Sequence, residues 1–406
     1  MHKVESIDKV NVEGKRVIVR ADLNLPISHG KISDITRITR IIPTLSYLIQ
    51  NKAKIVLISH YGRPNGKFVL QMSLSPIVDQ LSNILGKDIK FAMDIFSKDT
   101  KESINNLKPG ELILLENLRF YPEEEANDEE FAKKLAGLGD IYVNEAFACS
   151  HREHASITTL PKFLPGYAGI LLQEELDNLE QHLKNPKEKV MSIVGGSKIS
   201  TKIDLLTALV QKSDYLVIGG AMANTFLKAK NYPIGTSTYD SEYIDVSLKL
   251  LANAEQYNCE IILPEDIVTA KSLENHTQCK VYQIEDTPDS EIIFDIGPSS
   301  VINVINKMQD SKTLIWNGPL GAFEHSHFSA GTTMVSREAA KLTTQGKLIS
   351  VVGGGDTVAA ISEFESQFTY ASTGGGAFLE WLQGKELPAM VALQQSIDHK
   401  NSNKTQ

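Results

Sequence analysis

Seven of the chain's eight arginines (Arg16, Arg20, Arg37, Arg40, Arg63, Arg119 and Arg152) lie in its first 152 residues, and only Arg337 lies beyond. A guanidinium binds carboxylate or phosphate through a planar two-pronged fork. With His60, such a concentration suits a small, multiply anionic ligand. Glycine leans the other way: 17 of the 27 follow residue 170, many in pairs or triplets. Glycine lets backbone N–H groups approach a ligand, and the start of a helix attracts anions. The two halves therefore handle ligands by different means.

Apolar, β-branched runs must position these groups. Candidate strands in the first half are 16–20, 54–59, 111–115 and 140–143, with helical spacing over 35–50 and 76–85. Alternation of this kind predicts βαβ units and a parallel sheet. In such a sheet ligands bind beyond the carboxyl ends of the strands. Those ends carry Asp22 and Asn24, then His60 and Arg63, then Arg119, then Arg152, with Arg37 shortly after the first. Any one arginine at a strand end reads best as a solvated surface residue. Four on one edge, in a chain with eight, read as a site. His60 alone fits a structural histidine, and Asp22 could simply pair with Arg20 or Arg37.

After a helix predicted over 171–183 and ending near Asn185-Pro186, one pattern recurs four times: strand, glycines, helix. The copies cover 190–200, 215–226, 348–360 and 370–382, and predict one α/β sheet with glycine-rich strand-to-helix turns. Gly353, Gly354, Gly355, Asp356 and Thr357 place three glycines, a carboxylate and a hydroxyl at one helix start. Phosphates could lie there while Asp356 reaches Mg²⁺, a hard cation that prefers oxygen. The plainer reading makes Asp356 an N-cap. Gly195 and Gly196 lead to Lys198 and Lys202, whose spacing predicts one helix face and hence an anion between them.

The net charge of −9 counts against a general nucleic-acid binder. No apolar run approaches the roughly 18 residues of a membrane span, and the N-terminus has no secretory h-region. Cys149, Cys259 and Cys279 form no CxxC pair, so reduced thiols in a cytosolic protein are expected. P-loop, dinucleotide and protein-kinase signatures are absent. The polar tail after Lys400 is expected to be mobile.

The motifs resemble the phosphoglycerate kinase family. RADLNLP (20–26), DITRI (34–38), HYGRP (60–64), LLENLRFYPEEE (114–125) and HREHAS (151–156) are similar to its acid-binding segments. GGSKISTKI (195–203), IGGAMANTFL (218–227), DIGPSS (295–300), WNGPLGAFE (316–324), GGGDT (353–357) and STGGGAFLE (372–380) are similar to its nucleotide segments. They stand in the family's order across about residues 5–395.

The resemblance implies an α/β fold of two similar-sized domains, each a parallel sheet flanked by helices in the Rossmann-like manner, joined by a helix and hinge. Its boundaries are an acid-substrate domain over 1–170, the interdomain helix over 171–186, a nucleotide domain over 187–388, and a C-terminal segment over 389–406 returning to the first domain. It implies transfer of the acyl phosphate of 1,3-bisphosphoglycerate to MgADP, giving 3-phosphoglycerate and MgATP, by a cytoplasmic monomer with no nucleic-acid or membrane partner. Asp22, Leu23, Asn24, Arg37, His60, Tyr61, Gly62, Arg63, Arg119 and Arg152 would hold the acid. Gly195, Gly196, Lys198, Lys202, Gly219, Gly220, Asn317, Gly318, Pro319, Glu324 and Gly353–Thr357 would serve the nucleotide, with Asp356 on its Mg²⁺. Arg37, Lys198, Gly354 and Gly355 would stabilise the phosphoryl group in flight, after the domains close. Tyr61, Glu145, Ala148 and Cys149 depart from the usual Leu, Asp, Gly and Thr. A kinase for another carboxylic acid and a non-catalytic nucleotide-binding scaffold remain as alternatives.

Overall fold

The run RVIVRA forms a strand, β1 (Arg16–Ala21), buried over its last five residues. So little polar alternation marks a strand covered on both faces. The computed structural model describes residues 4–404 except 26, 29, 30, 33, 185, 187, 275–278 and 373. After β1 come a short hairpin, β2 (Ile27–Ser28) and β3 (Lys31–Ile32), then α1 (Thr36–Gln50), β4 (Lys54–Ile58), α2 (Ser75–Leu85) and β5 (Lys90–Ala92). α3 (Lys98–Asn105), β6 (Leu112–Leu115), α4 (Pro122–Glu125), α5 (Glu129–Ala136), β7 (Ile141–Glu145), β8 (Gly166–Ala168) and α6 (Ile170–Leu183) follow.

These strands form a parallel sheet in the order β5-β6-β4-β1-β7-β8. Ile38, Ile41, Leu45 and Leu48 of α1, spaced at helical intervals, bury against Val17, Val19, Ile55 and Leu57. Local chemistry sets the helix ends. Ser97 caps α3 by accepting from the Thr100 N–H, Asp128 caps α5 by accepting from the Phe131 N–H, and Gly86 ends α2 in the left-handed conformation.

The chain divides into two compact units, Met1–Asp177 with Glu386–Gln406, and Asn178–Lys385, so the division falls inside α6. The second unit contains β9 (Val190–Val194), α7 (Ile203–Val210), β10 (Tyr215–Ile218), α8 (Ala221–Ala229), α9 (Ile244–Gln256), β11 (Glu260–Ile262), β12 (Asp266–Ala270), β13 (Lys280–Gln283) and β14 (Ile292–Ile296). It continues with α10 (Pro298–Gln309), β15 (Thr313–Asn317), α11 (Ala330–Thr344), β16 (Ile349–Gly353), α12 (Gly355–Ala360), β17 (Tyr370–Ser372) and α13 (Gly375–Leu382). Its parallel sheet runs β11-β10-β9-β15-β16-β17. All four glycine-punctuated strands belong to it.

One expectation needs correcting. The second half is not a single sheet, because β13-β12-β14 form a separate antiparallel one. β13 is largely exposed, so no buried stripe marks it in the sequence. The predicted end of α6 at residue 185 lies outside the described residues.

The chain ends in α14 (Pro388–Lys404), so the segment expected as a mobile tail is helical backbone as far as Lys404. The start of this helix packs into the first unit. The Gly166 N–H donates to Ser396 Oγ at 3.1 Å, and Leu393 is fully buried. A side chain at Gly166 would press on both residues, within 2.8–2.9 Å. Leu393→Ala should therefore cost the first unit about 2–5 kcal/mol, read by urea unfolding followed by circular dichroism. A loss below about 1 kcal/mol would show that this helix contributes little to the core of that unit.

Candidate active site

Three strand ends of the first unit, those of β1, β4 and β6, are locked together by side chains. At the end of β1, Asp22 Oδ2 pairs with Arg37 Nη1 at 2.8 Å, and the same nitrogen donates to Asn24 O at 3.0 Å. Asp22 Oδ1 accepts from the Asn24 N–H, and Asn24 Oδ1 accepts from the Gly62 N–H at 2.9 Å. Ser59 Oγ accepts from the Leu23 N–H and donates to Ala21 O, joining β1 to β4. Arg119 donates to Gly62 O at 2.8 Å, and its Nε lies 3.2 Å from Glu125 Oε1 without hydrogen-bond alignment. Tyr61 packs against the unit's core. Arg63 and Arg152 are exposed and make no ion pair among the described residues.

Residues that spacing did not reveal hold this arrangement. Asn117 accepts from the Tyr61 and Arg119 N–H groups and donates to Tyr61 O and Met72 O. Buried Glu116 receives Ser73, Leu74 and Asn117. Arg20 is 1 % exposed and donates to Ser156 Oγ and Ala21 O, with His60 Nδ1 beside it. Ser156 sits on a single π turn over Ala155–Thr159, a local irregularity that sequence spacing does not announce.

Burial, reinforced by Arg20, Arg119, Arg37 and His154, holds the His60 imidazole neutral well below its usual range. Burial and then Arg119 lead the effects that push His154 down to about 4. Burial also pushes the Cys149 thiol up to about 11, so it is a poor nucleophile. Asp22, His60 and Cys149 bring potential metal ligands within 4.8 Å of one another. Arg20, Arg37 and Arg119 surround them with positive charge, which favours an anion over a cation.

The departure at Glu145 lies outside this cluster. Its buried carboxylate accepts from Thr44 Oγ1 and from the Leu171 and Leu172 N–H groups, satisfying the start of α6. Burial pushes that carboxyl up to about 7.

In the second unit the ends of β9, β10, β15 and β16 are likewise tied together. The Gly195 N–H donates to Asn317 O at 2.9 Å, and the Gly220 N–H to Leu320 O at 2.8 Å. Lys202 Nζ donates to Gly195 O at 2.5 Å and to Asn317 Oδ1 at 2.7 Å. Asn317 Nδ2 donates to Gly353 O, and Thr357 Oγ1 accepts from the Gly318 N–H while donating to Gly353 O. Two glycines are required by close approach. A side chain at Gly195 would strike Pro319 O, and Gly220, at φ +66°, lies against Gly196. Asp240 accepts from the Ile199 N–H and fixes the turn after Lys198.

Two local readings fail here. Lys198 and Lys202 do not share a helix face. They flank a 3₁₀ turn over Ile199–Thr201, Lys198 extended and exposed, Lys202 turned inward. Burial lowers Lys202 to about 8, with Asp356 opposing. Asp356 is not an N-cap either. Gly354 holds that position, and Asp356 is exposed in the first turn of α12 without a capping bond. Glu324 is exposed, beyond Gly318 and Pro319.

Beside Gly220 lies a narrow cleft lined by Asn224, Leu227, Phe294, Asp295 and Leu320. Asn224 is 1 % exposed, and its Oδ1 has no hydrogen-bond partner. Asp295 accepts from the Gly331 and Ile296 N–H groups, anchoring the start of α11. Thr332 in the same turn accepts from the Leu320 N–H.

One α/β unit thus carries an arginine-rich strand edge and the other a glycine-lined one. A sequence profile of the phosphoglycerate kinase family matches residues 7–385. A phosphoglycerate kinase of Wolbachia pipientis wMel is 46 % identical over 398 residues, 97 % of this chain and 100 % of the relative. The solved phosphoglycerate kinase of Coxiella burnetii superposes with a TM-score of 0.86 at 40 % identity, covering 97 % of this chain and 99 % of that one. That of Pyrococcus horikoshii OT3 gives 0.84 at 28 % identity, over 97 % and 99 %. The chain belongs to the phosphoglycerate kinase family.

Burial pushes the Asp295 carboxyl up to about 7, against the two N–H groups that favour its charged form. The folded protein then keeps a proton that the unfolded chain, with its ordinary value of 3.8, has already lost. Stability should fall as pH rises from about 4 to 7 and level off above that. Asp295→Asn should flatten urea-unfolding stability between pH 5 and 7, removing a slope of at most about 1.4 kcal/mol per pH unit. An unchanged slope would assign the effect to other groups.

Proposed function

We propose that this chain catalyses reversible transfer of the acyl phosphate of 1,3-bisphosphoglycerate to MgADP, giving 3-phosphoglycerate and MgATP. The observation that carries this reading is the interlocked set of Asp22, Asn24, Arg37, His60 and Arg119 at one sheet edge. Arg63 and Arg152 follow the strands on either side of β1, are exposed, and make no ion pair among the described residues. A trianionic acid suits that surplus of positive charge better than a simple carboxylate does.

In the ATP-consuming direction a carboxylate oxygen of 3-phosphoglycerate attacks the γ-phosphorus. A new P–O bond forms as the bond to the β-phosphate oxygen breaks, and ADP departs. The carboxylate is already ionised at neutral pH, so no general base is needed. The protein's work is alignment and stabilisation of charge on the moving group. Arg37 supplies it from the acid site. Exposed Lys198 and the Gly354 and Gly355 amides supply it from the nucleotide side. Lys202 acts from beneath, holding Gly195 and Asn317 in place.

The adenosine lies along Gly219, Gly220, Asn317, Gly318 and Pro319, with the apolar side of the Leu227–Phe294–Leu320 cleft beside it, and Glu324 accepts from the ribose. Asp356 suits the nucleotide's Mg²⁺, since its exposed carboxylate caps no helix. Reacting atoms must come within about 3–3.5 Å. The two ligands belong to different units, so turnover requires domain closure. In this reading the enzyme works as a cytoplasmic monomer, and three free cysteines suit a reducing compartment.

A coupled assay with 3-phosphoglycerate and MgATP tests the reading directly. Activity on this acid, and little on other small carboxylates, is expected. Activity only on another acid, or nucleotide binding without turnover, would contradict it.

Arg37→Ala should lower kcat by roughly 10³–10⁵ while KM for 3-phosphoglycerate changes far less. Steady-state kinetics showing near-normal kcat and a raised KM would reduce Arg37 to a binding residue. Asp356→Asn should weaken MgADP much more than metal-free ADP in calorimetry. Equal weakening would remove Asp356 from the metal.

A further inference from the structure

One chain of hydrogen bonds in the first unit starts at Arg20 and is donated outward in both directions, to Ser156 and Glu124 on one side and to His60 on the other. Ser156 Oγ donates to Glu124 Oε1 at 2.5 Å, and the Ser156 N–H donates to Glu124 Oε2 at 2.9 Å. Arg20 Nε donates to Ser156 Oγ at 2.8 Å. Arg20 Nη1 donates to Ala21 O at 2.5 Å, and Nη2 lies 3.2 Å from His60 Nδ1. Glu124 is fully buried and Arg20 is 1 % exposed.

A guanidinium has donors and no acceptor. His60 Nδ1 must therefore accept from Arg20, and the single proton of the neutral ring sits on Nε2. We propose that Arg20, oriented by Ser156 and the carboxylate of Glu124, is a positioning residue that fixes His60 as the neutral Nε2–H tautomer. In that form His60 offers the acid substrate one hydrogen-bond donor and no charge. This rests on reading His60 as an acid-binding residue.

The surroundings agree. Arg20, Arg37, Arg119 and His154 all act against a second proton on the ring. Among the described residues Asp22 and Cys149 also face it, the Cys149 thiol 4.0 Å from the same Nδ1. Asp22 is taken by Arg37, and burial keeps Cys149 in its thiol form. Burial pushes the Glu124 carboxyl up, and Arg20 and Ser156 oppose that by favouring its charged form. A cationic His60 would add charge where three guanidiniums already stand. A neutral donor binds an oxygen without making release of a highly charged product harder.

Long-range ¹H–¹⁵N correlation spectra of the full-length protein, without ligand, read the tautomer directly. Wild-type His60 should show a protonated Nε2 and a bare Nδ1 from pH 6 to 8, with no titration. Arg20→Lys keeps the charge and loses the fork. Ser156→Ala is a milder cut that removes the link between Arg20 and Glu124. Either should introduce the Nδ1–H form or bring the titration midpoint into the pH 6–8 range. The ratio of variant to wild-type affinity for 3-phosphoglycerate should then differ about threefold to tenfold between pH 6 and pH 8. General loosening of the fold would weaken binding equally at both pH values and leave the tautomer alone. A wild-type Nδ1–H ring would overturn the proposal, as would two folded variants with unaltered His60 spectra. If the spectra follow expectation but saturating 3-phosphoglycerate leaves the His60 signals unmoved, the placement of His60 in the acid site fails and the tautomer assignment stands.

Discussion

Arginines gathered at one sheet edge repel each other, and the protein must fold with them in place before any substrate arrives. Each partly buried guanidinium of the acid site meets this constraint with a carboxylate supplied by the chain. Asp22 takes Arg37 at 2.8 Å, Glu125 stands 3.2 Å from Arg119, and Glu124 reaches Arg20 through Ser156. A buried charge without such a partner costs several kcal/mol. Arg63 and Arg152 are exposed and need no such partner, because water screens them. The site at rest is close to neutral where it is buried and cationic only where it is wet.

The second unit solves a related problem with backbone instead of side-chain charge. Three strand ends, those of β9, β15 and β16, are stitched by Lys202, Asn317 and Thr357, so glycine amides can be presented without a long cationic side chain on each. Lys202 is half-spent in that task and burial lowers it to about 8. Lys198 is left as the exposed lysine of this loop. In both units buried side chains hold the strand ends, while Arg63, Arg152 and Lys198 stay exposed.

Much of this was legible in the sequence. The strand ends that carry Asp22, His60, Arg119 and Arg152 stand where the apolar runs put them, because a parallel sheet delivers every strand's carboxyl end to one edge. The glycine pairs marked four strands of the second sheet. What escaped was set by contacts distant in sequence. Arg20 and Ser156 are 136 residues apart, and no local pattern tells which way Arg20 turns. Local rules also misled. Lys198 and Lys202 have helical spacing but flank a 3₁₀ turn pinned by Asp240, and Asp356 has the composition of a cap but stands two positions beyond it. The antiparallel β13-β12-β14 sheet was missed because its exposed edge leaves no buried stripe.

The account stands or falls on where the acid binds and which groups it meets. A crystal structure of the protein with 3-phosphoglycerate measures that most directly. Oxygens of the acid should lie within hydrogen-bond distance of Asn24, His60 Nε2, Arg63, Arg119 and Arg152, with the Arg20–Ser156–Glu124 chain unaltered. An acid bound on the second unit, or one touching none of these arginines, would contradict it.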